Sequence, residues 1–150
     1  MAKGFQDTDS LCRGIVGDAQ KGVFKPVYLL MGDEPYYVDM VCDAIIEHCL
    51  DESERDFNQT IVYSQDTTSA EIVQACRRFP MFAPRQLVMV KEAQHLTKLD
   101  ILEQYLESPS PETVLVLAFT NKSVDKRTGF YKKAKANATV FESTAISEWN

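Results

Sequence analysis

The chain alternates short, continuously apolar runs with segments whose apolar residues recur every three to four positions. Val27–Met31 follows Pro26, is apolar throughout and reads as a strand buried on both faces. Apolar residues at 37, 38, 41, 44, 45 and 49 then keep a helical period, with Asp33 as the candidate cap and Pro35 in the first turn. Phe57–Tyr63, rich in Thr, Ile, Val and aromatic residues, reads as a second strand. Thr68-Ser-Ala-Glu71 has the form of a capping box. The helix behind it carries Ile72, Val73, Cys76 and Phe79 on one face and stops at Pro80. Gln86–Lys91 is a third strand. Thr97 caps a helix striped by Leu99, Leu102 and Leu106, which ends near Ser108-Pro-Ser-Pro111. Thr113–Phe119 is the fourth and most hydrophobic strand, Thr128–Ala136 a short basic helix, and Thr139–Glu142 a fifth strand.

Strands alternating with helices of this length predict right-handed βαβ crossovers, hence an α/β fold around a mostly parallel five-stranded sheet. Residues 1–25 read as an N-terminal segment leading into the sheet, helical around Asp9–Lys21. The main domain spans 26–145, and 146–150, with Trp149, reads as a boundary segment. The longest strongly apolar runs are six residues, against about 20 for a membrane span. The start MAKGFQDTDS has no apolar signal region, so the expectation is a cytoplasmic protein. A net charge of −6 argues against a nucleic-acid binder with a basic surface throughout. The four cysteines form no CxxC pair and read as reduced, buried thiols. His48 and Cys49 are adjacent, so a helix points them in different directions, and no metal site is expected.

A parallel α/β sheet directs the search for a ligand to the turn after the first strand. A phosphate-cradling loop there needs G-x-x-x-x-G-K-[ST]. The turn here is Gly32-Asp-Glu-Pro-Tyr-Tyr37, with no lysine and with the carboxylates of Asp33 and Glu34 where polyphosphate would sit. Gly17-Asp-Ala-Gln-Lys-Gly22 has the glycine spacing but precedes the strand and lacks the Lys-Ser/Thr pair. The third strand ends in Lys91-Glu92, so Glu92 has no aspartate beside it to hold magnesium. Thr120-Asn121, after the fourth strand, is the polar type that could sense a phosphate, but without the other parts of a nucleotide site it reads as a loop cap. There is no G-x-S-x-G elbow and no nucleophile at recognisable spacing from a histidine, so no catalytic residue and no cofactor are expected.

Two segments remain. Arg77-Arg-Phe-Pro-Met-Phe-Ala-Pro-Arg85 puts Met81 and Phe82 between two prolines and three arginines. Prolines restrict the loop and lower the entropy lost on docking, and an apolar tip ringed by arginine suits an interface anchor. On pattern alone, the pair could equally tuck beneath the sheet. In 122–135 six cations (Lys122, Lys126, Arg127, Lys132, Lys133, Lys135) face one carboxylate, Asp125. That cluster is either a solvated helix face or a contact with a partner or with a phosphate backbone.

The chain resembles the N-terminal domain of the delta subunit of bacterial DNA polymerase III. Lys25–Tyr37 is similar to that family's opening strand and degenerate phosphate loop. Arg78–Ala93 is similar to its clamp-binding tip and third strand, and Tyr105–Leu117 to its helix, proline turn and fourth strand. Val124–Arg127 with Phe130–Lys132 resembles the helix that follows. The resemblance implies an AAA+-like (P-loop-NTPase-like) sheet of order 5-1-4-3-2 with a degenerate nucleotide site at Gly32, Asp33, Glu34 and Glu92. It further implies a hydrophobic plug, Met81 and Phe82, with Pro80 and Arg85 beside it, that enters a pocket on the beta sliding clamp. Met81 stands where the family often has leucine. The implied role is to help open the ring for loading onto primed DNA, without ATP hydrolysis by this domain. Gamma/tau and delta-prime subunits are the implied partners and DNA is contacted indirectly. The alternatives are a P-loop-type nucleotide switch and a DNA-binding module using the 122–135 cluster.

Overall fold

The computed structural model describes residues 2–144, and their side chains from residue 8 onward; Trp149 and the boundary segment expected at 146–150 lie outside the described residues. The elements, in order, are α1 (Ala2–Gln20), β1 (Val27–Gly32), α2 (Pro35–His48), α3 (Arg55–Asn58), β2 (Gln59–Tyr63), α4 (Ser69–Arg77), β3 (Gln86–Lys91), α5 (Leu99–Glu107), β4 (Thr113–Ala118), α6 (Gly129–Asn137) and β5 (Thr139–Ser143).

The five strands form one sheet in the order β2-β3-β4-β1-β5, and every pairing is parallel. This is the expected 5-1-4-3-2 order read from the other edge. Side chains alternate across a strand, so a strand covered on both faces must be apolar at every position. In β1, Val27, Leu29 and Met31 enter one core with Ile72, Cys76, Leu102, Tyr105 and Phe130 of α4, α5 and α6. Tyr28 and Leu30 enter the other, with Cys12 of α1 and Val38, Val41 and Ile45 of α2. The result is three layers, helix–sheet–helix. The N-terminal helix is therefore built into the domain: Cys12 is fully buried.

Helix ends depart from expectation where the period of the pattern ran past the local chemistry. The cap of α2 is Glu34, not Asp33; its carboxylate accepts from the Tyr36 N–H, with Pro35 at the first helical position. The capping box of α4 is present, Thr68 and Glu71 each accepting from the other's backbone. That helix ends at Arg77, however, so Phe79 lies beyond it and is 81% exposed, off the buried face of Ile72 and Cys76. Lys98 in a left-handed conformation, not Thr97, precedes α5. Phe57 and Asn58 fall in the single turn of α3, so β2 starts at Gln59. Gly22 (φ 77°) closes α1, with Val23 N–H reaching back to Asp18 O at 2.8 Å.

All four cysteines are buried and unbridged. Burial pushes the Cys42 and Cys76 thiols up to about 12 and Cys49 up to about 11, so all three stay protonated at neutral pH. Among the described residues, no helix is long and apolar enough to cross a membrane.

Candidate functional site

The two segments singled out by sequence lie at opposite ends of the parallel sheet. The turn after β1 sits at its carboxyl end, and the loop before β3 at its amino end.

At the carboxyl end, a phosphate cradle requires backbone N–H groups pointing at open space. Here they are consumed. Gly32 N–H donates to Lys122 O (3.1 Å), and Asp33 N–H to Ser143 O (3.2 Å). Glu34 N–H donates to Ser143 Oγ (3.1 Å). The Ser143 hydroxyl in turn donates to Glu34 O (2.9 Å). The last residue of β5 thus folds its serine over the turn. Gly32 has φ 122°, and a Cβ there would fall on the backbone and hydroxyl of Ser143. Glu92 also has a left-handed backbone (φ 55°). Its carboxylate accepts from Gln94 (2.7 Å), whose amide oxygen accepts from Thr120 N–H (3.0 Å). Glu92 and Thr120 border a cavity of about 120 Å³ together with Asp39, Cys42, Tyr63 and Lys91. Ligand sites generally need ~300 Å³ or more.

At the amino end, the loop is held from behind and bare in front. Gln86 Nε2 lies 2.9 Å from Ala75 O and 2.8 Å from Arg78 O, and Thr113 Oγ1 donates to Cys76 O (2.8 Å). These bonds occupy the carbonyls at the end of α4. Met81 is 50% exposed and Phe82 95% exposed. Phe82 has φ 57°, a left-handed backbone that is rare and strained for an aromatic residue. Pro80 is half-buried beside them. The pair does not tuck beneath the sheet.

The expected ring of arginines is only partly realised. Arg77 stacks on Tyr105 (4.4 Å to the ring centre) and donates to Ser108 O (2.7 Å). Arg85 stacks on Phe24 (4.8 Å) and donates to Cys49 O (3.1 Å). Both brace the loop's base. Arg78 is exposed and, among the described residues, makes no side-chain hydrogen bond or ion pair.

Sequence reasoning missed Asn58. Its side chain is buried (3% exposed) and meets both backbone polar groups of Met81. Met81 N–H donates to Asn58 Oδ1 (2.7 Å), and Asn58 Nδ2 donates to Met81 O (2.9 Å) and to Glu54 O (2.9 Å). The one available signal was an asparagine, poor in strands, inside the stretch read as the second strand.

The basic cluster is partly neutralised. Lys126 pairs with Glu142 (2.9 Å), Arg127 with Asp125 (3.0 Å) and Lys133 with Glu107 (3.8 Å). Asp125 titrates below its ordinary value because of the Arg127 hydrogen bonds. Half of the six cations are thus committed to carboxylates of this same chain.

A five-stranded parallel sheet of this order between two helical layers defines an AAA+-like α/β fold. Its likeness to solved structures bears that out. The fold matches a Thermotoga maritima DNA polymerase III gamma-subunit-related protein over 92% of this chain and 47% of that one (TM-score 0.58, 14% identity). It matches the Thermotoga maritima RuvB Holliday junction branch migration motor over 93% and 45% (TM-score 0.55, 14% identity). The family is narrower. A family model described as DNA polymerase III, delta subunit, matches residues 28–144, and the chain belongs to that family. It is 28% identical over 138 residues to DNA polymerase III subunit delta of Bacillus subtilis, covering 85% of this chain and 40% of the relative. The solved Bacillus subtilis DNA clamp loader delta protein superposes with TM-score 0.80 at 27% identity, over 90% of this chain and 43% of that one. The chain therefore spans less than half the length of these relatives.

Proposed function

We propose that this domain binds the beta sliding clamp through Met81 and Phe82 and helps open the ring for loading onto primed DNA in the cytoplasm. The observation that carries the reading is the Phe82 side chain, almost wholly exposed on a left-handed backbone in a loop braced from behind. An apolar side chain held in water at a conformational cost is spending free energy that a pocket on a partner returns. Met81 beside it is unbranched and adapts to the pocket's shape. Pro80 limits the loop's freedom, Arg85 fastens its base to Cys49 O, and Arg78 steers the approach to an acidic surface, raising the on-rate more than the affinity.

Ring opening is then a shift in population. The plug favours the clamp shape whose pocket it fills, by no more than its differential affinity for the two shapes. The domain hydrolyses no ATP itself: Gly32, Asp33 and Glu34 have turned their N–H groups onto Lys122 and Ser143. Nucleotide acts in the gamma/tau subunits, and delta-prime completes the assembly. The test is surface plasmon resonance of the chain on immobilised clamp. Met81→Ser with Phe82→Ser keeps the circular dichroism spectrum and abolishes binding. Undiminished affinity in the double variant removes the plug assignment.

A further inference from the structure

Resting on the plug reading, we infer that Asn58 is a positioning residue: a clasp that sets the plug in its binding-ready shape by gripping the Met81 peptide from β2's side of the sheet. A buried carboxamide offers one acceptor and two donors. Asn58 commits all three. Oδ1 takes the Met81 N–H, and Nδ2 gives one bond to Met81 O and one to Glu54 O. The first two bonds fix both backbone polar groups of Met81, the N–H and the C=O, as a neighbouring strand would. The third ties the clasp to Glu54, whose own carboxylate holds the Asp51 N–H (2.9 Å). Arg55, next in chain, donates to Glu47 O (3.1 Å) near the end of α2. The clasp therefore stands on a braced base.

Its position explains the strained neighbour. Phe82 follows Met81 directly, and its left-handed backbone persists only if the surroundings over-determine it. A two-point grip one residue upstream does so. Without it the loop relaxes, Phe82 leaves the left-handed region, and the clamp must reorder the loop on binding, at a loss of affinity.

The experiment measures clamp affinity of the chain by surface plasmon resonance and Met81 amide exchange by NMR. Variants are Asn58→Ala, Phe82→Leu and both together. The expected result is a roughly tenfold weaker complex for Asn58→Ala, faster exchange at Met81, and little added loss in the double variant, because the grip acts through Phe82. Wild-type affinity in Asn58→Ala overturns the inference. So does a full tenfold loss on top of Phe82→Leu, which marks a general structural effect. If Asn58→Ala does not fold, Asn58→Asp serves. It keeps the acceptor for Met81 N–H but sets a carboxylate oxygen against Met81 O and Glu54 O, and it is held to the same two criteria. Failure of the plug reading itself is separate, since there the Met81/Phe82 double serine variant binds normally.

Discussion

The turn Gly32–Pro35 and the loop Pro80–Pro84 leave opposite ends of one sheet and solve opposite problems. In the turn, every early N–H is folded inward onto Lys122 or Ser143, and the side chains that face out are carboxylates. In the loop, the polar groups of Met81 are folded inward onto Asn58, and the side chains that face out are apolar. Each carries a positive φ, at Gly32 where the turn begins and at Phe82 in the middle of the loop. The difference lies in which groups are left over. Leftover N–H groups make an anion site, whereas leftover apolar surface makes a protein-docking site. The same sheet can thus close the turn at one end and present an apolar loop at the other without a change of topology.

The comparison breaks most easily at the loop. Serine at 81 and 82 removes apolar surface worth about 1.5–3 kcal/mol per side chain when fully buried. The expected loss of clamp affinity is at least about 100-fold, while thermal stability moves by no more than about 0.5 kcal/mol, since Phe82 is almost wholly exposed and Met81 half exposed. A large fall in melting temperature instead means that the pair is part of the core.

At the turn the expectation reverses, with a large effect on stability and none on binding. Gly32→Ala puts a Cβ onto Ser143 and forces a left-handed backbone on alanine. The cost is roughly 3 kcal/mol, or a drop of about 6–12 °C in melting temperature by calorimetry. Clamp affinity, measured well below that melting temperature, stays at the wild-type value. An unchanged melting temperature shows that β5 does not close over the turn.

Ser143→Ala is gentler. It leaves Glu34 N–H and O without their hydroxyl partner, for a loss of about 1–2 kcal/mol. It also asks what keeps nucleotide out. The expectation is that millimolar ATP raises the melting temperature of neither protein, because Asp33 and Glu34 remain and the turn Gly32–Tyr37 has no lysine. An ATP-dependent rise in the variant alone assigns the exclusion to the serine.

How much of this was legible in the sequence follows from range. The strands were readable because a strand buried on both faces leaves an unbroken apolar run, as in Val27–Met31 and Val114–Leu117. The loop was singled out because proline brackets and an apolar pair are local, but pattern alone left open whether Met81 and Phe82 face outward, which their exposure decides. Phe79 was misplaced because apolar periodicity ran past the last turn of α4, where Pro80 had already decided the end. The two contacts that define the sites were not readable. Asn58 meets Met81 across 23 positions, and Ser143 meets Glu34 across 109. Nothing about an isolated asparagine or serine announces a distant peptide that needs its hydrogen bonds.

The smallest effect expected is at the back of the closed turn. Lys122 O receives Gly32 N–H, and four residues on, Lys126 pairs with Glu142, the neighbour of Ser143. Ser123 donates to the same carboxylate (2.8 Å). Partial burial works to raise the Glu142 carboxyl, but the hydrogen bonds from Lys126 and Ser123 and the charge of Lys126 outweigh it and hold it below its ordinary value. The folded state then binds the proton less readily than the unfolded chain. Its contribution is present above the unfolded-state value and is lost as pH falls through the lower, folded one. Lys126 is more than half exposed, so the pair is worth at most about 1 kcal/mol and shrinks with salt. Lys126→Ala should move the Glu142 titration, followed by carboxyl-carbon NMR, upward toward the ordinary value and flatten the acid-side fall in stability. Clamp affinity should not change, because Met81 and Phe82 lie at the other end of the sheet. A Glu142 carboxyl that titrates where it did before assigns the shift to Ser123, and with it the fastening of β5 over the turn.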